Sequence, residues 1–586
     1  MRLQQVTAAA LHANRLTALH GWHVVSHGNS FGLPAEENAW LAPVLHASAQ
    51  YLNATVFTQD TGFDGCEVWT RDLKGVVWVE GNDIGRSLVI NQNARDTYAI
   101  WSPNADGAVV TSVGAQKEKD ATFDVLRFRV SGSFVPFDVW IDQQSHLPAR
   151  YVETASGITT TTTLEQYQPF EGMLIPFVVH TVTNRGNPTE FTVQRIESNP
   201  SDLTERVRKP NSSAHDFSIA GGNEATIPFD LIDGHVYIDV SLNGKGPYQF
   251  VFDTGAFNVM DPAVAQEIGT ETAGHQEGSG PGAAVAQVQF ARVHSLKLGN
   301  AELQDQLFAT LPLRHGFAVA AAAPFDGLIG WEVLARFVVS IDYVAKTITL
   351  RRGTVPQDGE VVPFIFRGTD PQFACTINNI ASQCLMDTGS GASLDIMPAF
   401  VAAHPQVVPT DATAPGMNAY GAGGGDNGRL GRLRSLGFAG FTLNALVAGF
   451  SQAKGGVFSQ EGLGANVGGG VWSRFTVTLD YQHQTMTLAP NAAFAKRDEH
   501  ERAGMFVIAR DGQLIVVDVR PGTPAAKAGM RRDDVITTVD GKDASRITLG
   551  DLRTMLHGPS GTIVQFGVKR GSMAEIQIAV TLADYV

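Results

Sequence analysis

Apolar and polar positions alternate with a period of two along most of this chain. Val236-Tyr237-Ile238-Asp239-Val240-Ser241-Leu242 is one such run. Phe123-Asp124-Val125-Leu126-Arg127-Phe128-Arg129-Val130 and Phe137-Asp138-Val139-Trp140-Ile141 are others. That period places alternate side chains on opposite faces of a strand. Residues 75–79, 87–90 and the β-branched run 158–163 read as further strands, with turn signals at Asp64-Gly65 and Asn82-Asp83. A helical stripe marks the start, where Val6, Ala9, Leu11, Leu16 and Leu19 share a face over residues 1–20 and Gly21 ends it. Residues 200–224 hold Asn199-Pro200 and Lys209-Pro210-Asn211-Ser212-Ser213 at their edges and centre, and read as a linker. The expectation is a mainly β chain of several domains.

The strand pattern is duplicated. Arg336-Phe337-Val338-Val339-Ser340-Ile341-Asp342-Tyr343 matches Arg474-Phe475-Thr476-Val477-Thr478-Leu479-Asp480-Tyr481. Thr347-Ile348-Thr349-Leu350 matches Thr485-Met486-Thr487-Leu488 at the same offset of 138 residues. Upstream, each copy begins with a hairpin. In the first, Asn243-Gly244 turns the chain into Tyr248-Gln249-Phe250-Val251-Phe252; in the second, Asn378-Asn379 turns it into Gln383-Cys384-Leu385-Met386. A repeat of this kind predicts two similar lobes, 221–355 and 356–491, facing each other about a pseudo-two-fold axis.

Each hairpin ends in Asp-Thr-Gly: Asp253-Thr254-Gly255 before Ala256, and Asp387-Thr388-Gly389 before Ser390. Two carboxylates brought together cannot both ionise easily, so they share a proton, and one acts as base while the other acts as acid. Which one holds the proton is a property of the pair. Glycine after the threonine lets backbone approach a carboxylate closely.

An apolar residue followed by Asp-Thr-Gly, twice, resembles the active-site sequence of retropepsin-like aspartic peptidases. The resemblance implies a dyad of Asp253 and Asp387, with Thr254 and Thr388 locking the geometry across the axis and Gly255, Gly389 and Ser390 supporting it. It also implies a hairpin flap in each lobe, with Gly278 and Gly280 as candidates in the first and Tyr420-Gly421 in the second. Family lobes carry two apolar residues and a glycine beneath the acid. Leu328-Ile329-Gly330 fits, whereas Asn466-Val467-Gly468 departs from the pattern.

Residues 500–586 resemble a bacterial protease-associated PDZ domain, through Gly504-Met505-Phe506, Pro521-Gly522-Thr523-Pro524-Ala525-Ala526-Lys527-Ala528-Gly529-Met530 and Asp533-Asp534-Val535-Ile536. The resemblance implies that Gly504, Met505 and Phe506 present N–H groups to a peptide's C-terminal carboxylate, and that a helix near Leu549–His557 walls the groove. Residues 1–205 resemble the half-open antiparallel barrel of LolA-like lipoprotein carriers. Glu67-Val68-Trp69-Thr70-Arg71-Asp72 after Asp64-Gly65, and Val139-Trp140-Ile141-Asp142 leading to His146-Leu147-Pro148-Ala149-Arg150, carry that likeness. It implies a lipid or apolar ligand in the barrel; a packing domain with a filled interior is the favoured alternative.

Composition narrows the partners. A net charge of -15 argues against nucleic acid. Neither HExxH, GxSxG nor a Gly-Lys-Ser/Thr phosphate loop is present, and the Cys and His residues show no zinc spacing, so no metal or cofactor is expected. Cys375 and Cys384 flank a hairpin; two buried thiols are expected, with a disulfide as the alternative. The start, Met1-Arg2-Leu3-Gln4-Gln5, lacks the apolar core of a leader, so the chain is either cytosolic or trimmed. The resemblance of both flanking domains to envelope proteins implies a periplasmic home. Two functions stand against each other: an aspartic endopeptidase acting on protein or peptide, and a non-enzymatic envelope adaptor. Whether the two carboxyls meet is what separates them. Oligomeric state is left open.

Overall fold

The structure is a computed structural model that describes residues 2–102, 107–119, 121–278, 286–316, 318–353, 358–421, 424–454 and 461–586. The chain divides into two compact units. The first comprises Met1–His215, Ala273–Glu277 and Ile365–Gly368, and the second comprises Asp216–Thr272, Gly278–Phe364 and Thr369–Val586.

The first unit is built on one antiparallel sheet of thirteen strands. Strands from Trp22–Ser30 to Val77–Val79 form one meander and strands from Val109–Glu118 to Gly186–Ser198 form another. They join where Trp22–Ser30 pairs with Gly186–Ser198, and the two ends of the sheet stay apart, as in a half-open barrel. Its core is filled by Trp22, Tyr98, Trp101, Phe128 and Phe137, together with Leu11, Leu16 and Ile90 from the helical segments.

Three local expectations are corrected here. Residues 87–90 are not a strand but part of the helix Asp83–Asp96. Asn82 makes the difference: its side chain accepts the N–H groups of Ile84 and Gly85, which caps the helix, and Ser87, Ile90, Asn91 and Ala94 then fall on one buried face. The opening helix is shorter than expected, Arg2–Ala10, because His12 is left-handed (φ 56°) and the chain continues as the 3-10 turn Ala13–Ala18. The segment read as a linker contains the helix Leu203–Val207 and the strand Phe217–Ile219. Leu203 and Val207 bury against Trp40 and Trp69, so apolar contacts order a stretch that its composition marks as loop.

The second unit holds both lobes and the PDZ domain. In lobe one, His235–Leu242 and Lys245–Phe252 form the hairpin, and Gly327–Ile329 runs parallel beside its second strand, pairing Phe252 with Ile329. In lobe two, Asp370–Ile377 and Ile380–Met386 repeat this, with Ala465–Val467 alongside and Met386 opposite Val467. The lobes join through Val338–Asp342 and Phe475–Asp480, the closing strands of the two repeats, which pair antiparallel. Cys375 and Cys384 form a disulfide, which corrects the expectation of free thiols. The hairpin pairs Ile377 with Ile380 and Cys375 with Ser382, so Cys384 is a diagonal neighbour on the same face, with the two Cα atoms 5.9 Å apart.

The PDZ domain is a sheet with Met505–Arg510 at one edge and Ile576–Thr581 at the other, plus the helices Pro524–Ala528 and Leu549–Leu556. Thr548 and Asp551 cap the longer helix reciprocally. Among the described residues no helix is long and apolar enough to cross a membrane.

Candidate active site

Each lobe delivers its acid at the end of a strand that is pinned from beneath. The N–H of Asp253 donates to the Ile329 carbonyl (2.8 Å), and that of Asp387 to the Val467 carbonyl (3.0 Å). The next turn folds back on the carboxyl: Gly255 N–H donates to Asp253 Oδ1 (2.8 Å) and Gly389 N–H to Asp387 Oδ1 (2.9 Å). The Ser390 N–H also donates to Asp387. Asp253 and Asp387 are half-buried, and their carboxyls converge: a Cβ on Gly255 would stand 3.4 Å from Asp253 Oδ1 and 3.5 Å from Asp387 Oδ1. A Cβ on Gly389 would lie 2.2 Å from Asp253 Oδ2, so glycine is required for the lobes to come this close.

The two threonines are nearly fully buried and clasp each other. Thr254 N–H donates to Thr388 Oγ1 and Thr388 N–H donates to Thr254 Oγ1, both at 3.0 Å. Each hydroxyl then donates across to the opposite strand: Thr254 to the Met386 carbonyl and Thr388 to the Phe252 carbonyl, both at 2.9 Å. Four hydrogen bonds thus fix one acid strand against the other.

Electrostatics raise both carboxyls, though not equally. Burial first, and then the charge of Asp387, holds Asp253 well above the usual carboxylate range. Asp387 is raised by burial too, but hydrogen bonds from Asn466 and from the Gly389 N–H favour its charged form. Asn466, which departs from the apolar pattern, thus lies directly on the dyad, with its Nδ2 2.7 Å from Asp387 Oδ2.

In lobe two the flap candidate is a hairpin, Gly416–Gly421 against Gly424–Phe438, with Tyr420 opposite Gly425 near the tip. In lobe one Gly278 ends the strand Thr272–Gly278, while Gly280 lies outside the described residues.

The PDZ loop differs from expectation. The Glu501 carboxylate accepts the N–H groups of Ala503 (2.8 Å) and Gly504 (2.9 Å), so the Gly504 N–H is not open to an incoming carboxylate. The cause is local, an acid placed three residues before the glycine. Met505 is buried, and Phe506 lies beneath the Arg553 guanidinium. The groove is also occupied: residues 318–320 of lobe one pack on the strand Met505–Arg510. Gly550 N–H donates to the Ala322 carbonyl (3.0 Å), and Arg553 binds the Ala320 carbonyl (2.6 Å) and the Asp233 carboxylate. On the other side, Arg520 binds the carbonyls of Ala414, Met417 and Gly428 and the Asn418 side chain at 2.8–3.0 Å. Asp518 accepts the Met417 N–H (2.8 Å). The PDZ domain therefore grips the base of the hairpin Gly416–Gly421/Gly424–Phe438. Glu501, Arg520 and Arg553 carry no local motif, and only Asn466 was signalled in advance, as a polar residue in an apolar strand.

Paired acid-protease lobes with a C-terminal PDZ domain are what this fold and site define. Comparison with known proteins agrees: residues 238–333 match the sequence model of the aspartyl protease family, and residues 515–570 match that of the PDZ domain. The carboxy-terminal processing protease CtpA of Bacillus subtilis is 29% identical over 80 residues, which are 14% of this chain and 17% of that protein. The chain thus spans less than a fifth of that relative's length, within the PDZ region. A LolA superfamily protein from Nitrosomonas europaea is 11% identical with a TM-score of 0.25, covering 33% of this chain and 96% of that one. A retropepsin-like aspartic protease from Rickettsia conorii is 20% identical with a TM-score of 0.17, covering 23% and 92%.

Proposed function

We propose that this chain is an aspartic endopeptidase. Asp253 and Asp387 share one proton, activate a water against the peptide carbonyl and return a proton to the leaving nitrogen. The observation that carries the reading is the convergence of the two carboxyls, with Asp253 Oδ1 and Asp387 Oδ1 standing 3.4 and 3.5 Å from the point a Gly255 Cβ would occupy, held by the reciprocal Thr254–Thr388 clasp. The substrate is protein or peptide, covered by the Tyr420 hairpin.

Within this reading the PDZ domain gates the enzyme rather than recruiting substrate. Its groove is filled by residues 318–322 and its loop N–H groups by Glu501, so an incoming peptide C-terminus must displace both. Residues 318–322 lead directly into Gly327–Ile329, the strand beneath Asp253, and Arg520 holds the flap, so displacement reaches both sides of the cleft. The filled core of the N-terminal sheet favours a packing role over lipid carriage. The Cys375–Cys384 bridge supports an oxidising compartment such as the periplasm.

The test is cleavage of an unfolded protein between pH 3 and 8 by the wild type, Asp253→Asn and Asp387→Asn. Each variant is expected to lose activity by about 10²–10⁴-fold with its fold retained. Activity unchanged by either substitution would sink the mechanism. No cleavage by the wild type, even with a C-terminal peptide added, would favour the adaptor.

A further inference from the structure

The two lobes differ at one place beneath the dyad. In lobe one, Leu328 stands opposite Val259, an apolar pair on neighbouring strands. At the same register in lobe two, Asn466 stands opposite Asp395. Both polar side chains are buried, with residue exposures of 2% and 4%. Buried polar groups cost free energy unless they are paired, and an apolar pair meets the packing need in lobe one.

The pairing runs toward the chemistry. Asn466 Nδ2 donates to Asp387 Oδ2 at 2.7 Å, whereas Leu328 offers Asp253 no donor. Asn466 Oδ1 is buried and accepts no hydrogen bond from a nitrogen or hydroxyl group. Asp395 faces Asn466 across the strand pair. Burial and the charges of Asp426 and Asp387 push its carboxyl up to about 8, so at neutral pH it carries an O–H that suits this oxygen. The side-chain amide is then oriented with its N–H toward Asp387. A hydrogen bond to a carboxylate favours the charged form, and its absence on the other side favours the neutral one.

We propose that Asn466, oriented by Asp395, is a positioning residue that makes the dyad unequal, holding Asp387 as the carboxylate and leaving the shared proton on Asp253. This rests on the peptidase reading, in which Asp387 is then the base toward water and Asp253 the acid. The other ionisable groups that act on the pair are His235 on Asp387, and Asp370 and Tyr481 on Asp253.

Asn466→Leu gives lobe two the residue of lobe one, and Asn466→Met, closer in volume, is run beside it so that a folded variant reads the effect. Infrared titration of the carboxyls reads the dyad without turnover, with Asp387→Asn for assignment; kcat/KM against pH reads it in catalysis. Loss of the donor is expected to raise the lower dyad pKa by about one unit and to move the acid limb of kcat/KM up with it, about a tenfold loss on that limb. Asp395→Asn keeps a donor toward Asn466 Oδ1 and is expected to stay near wild type, while Asp395→Val shifts part of the way. An unmoved lower pKa in a folded Asn466 variant, or activity reduced by one factor at every pH, overturns the proposal. If Asp253→Asn and Asp387→Asn instead keep activity, the peptidase reading fails, and the infrared titration still decides what Asn466 does.

Discussion

Ser340 and Thr478 occupy the same position in the two repeats and meet face to face, hydroxyl to hydroxyl at 2.8 Å. They lie on the paired closing strands, so the pseudo-two-fold axis passes between them. Arg351 also donates to Ser340 Oγ (3.0 Å), which ties a neighbouring strand to the same point. A double-mutant cycle with Ser340→Ala and Thr478→Val, read by urea unfolding, is expected to show a coupling of about 1 kcal/mol. Additive effects would mean that the lobes are held by other contacts.

The threonine clasp should matter more. Thr388→Val removes the acceptor of the Thr254 N–H and the donor to the Phe252 carbonyl, leaving two buried groups unpaired. A loss of about 2–5 kcal/mol is expected in urea unfolding. Thr388→Ser keeps the hydroxyl and is expected to stay within about 1 kcal/mol of wild type, allowing for one lost methyl group.

Asp395 sets a pH dependence of opposite sign to the usual acid denaturation. Its folded-state pKa, near 8, lies above the ordinary carboxyl value, so the folded chain binds the extra proton. Stability from this group is full at low pH and is lost as pH rises through the window up to about 8. Asp426, raised to about 6 by burial, acts the same way over a lower window. Asp395→Asn is expected to flatten the decline in unfolding free energy between pH 6 and 8, by up to about 1.4 kcal/mol per pH unit. An unchanged slope would mean that Asp395 is already ionised in the folded chain.

Arg520 is buried, and its planar fork serves five acceptors around the base of the Tyr420 hairpin. Arg520→Ala leaves those carbonyls unpaired and is expected to cost about 3–5 kcal/mol, with faster hydrogen exchange along Gly416–Gly421. Arg520→Lys should rescue little, because an ammonium cannot reproduce the fork.

Arg553 tests the gate. Arg553→Ala removes the ties to Asp233 and to the Ala320 carbonyl. A fluorescent peptide with a free C-terminus is expected to bind the variant about tenfold more tightly than wild type, consistent with removal of about 1.4 kcal/mol of internal competition. Equal affinities would show that residues 318–322 do not compete for the groove.

The sequence by itself determined the strand periods, the duplication and the two Asp-Thr-Gly turns. Each is local or repeats at a fixed offset, and alternation, turn residues and an Asp-Thr-Gly triplet are written in neighbouring positions. It misread residues 87–90, where a distant burial pattern and the Asn82 cap outweighed β-branched propensity. Only tertiary structure decided that Cys375 and Cys384 bond, that Glu501 fills its own loop and that residues 318–322 fill the groove. The same holds for Asn466: the string shows a polar residue in an apolar place, and only folding brings it to Asp387. The groove and Asn466 contacts join residues far apart in the chain, the disulfide and the Glu501 bonds join near neighbours whose meeting still depends on the fold, and packing geometry chooses between a buried polar group that is orphaned and one that is put to use.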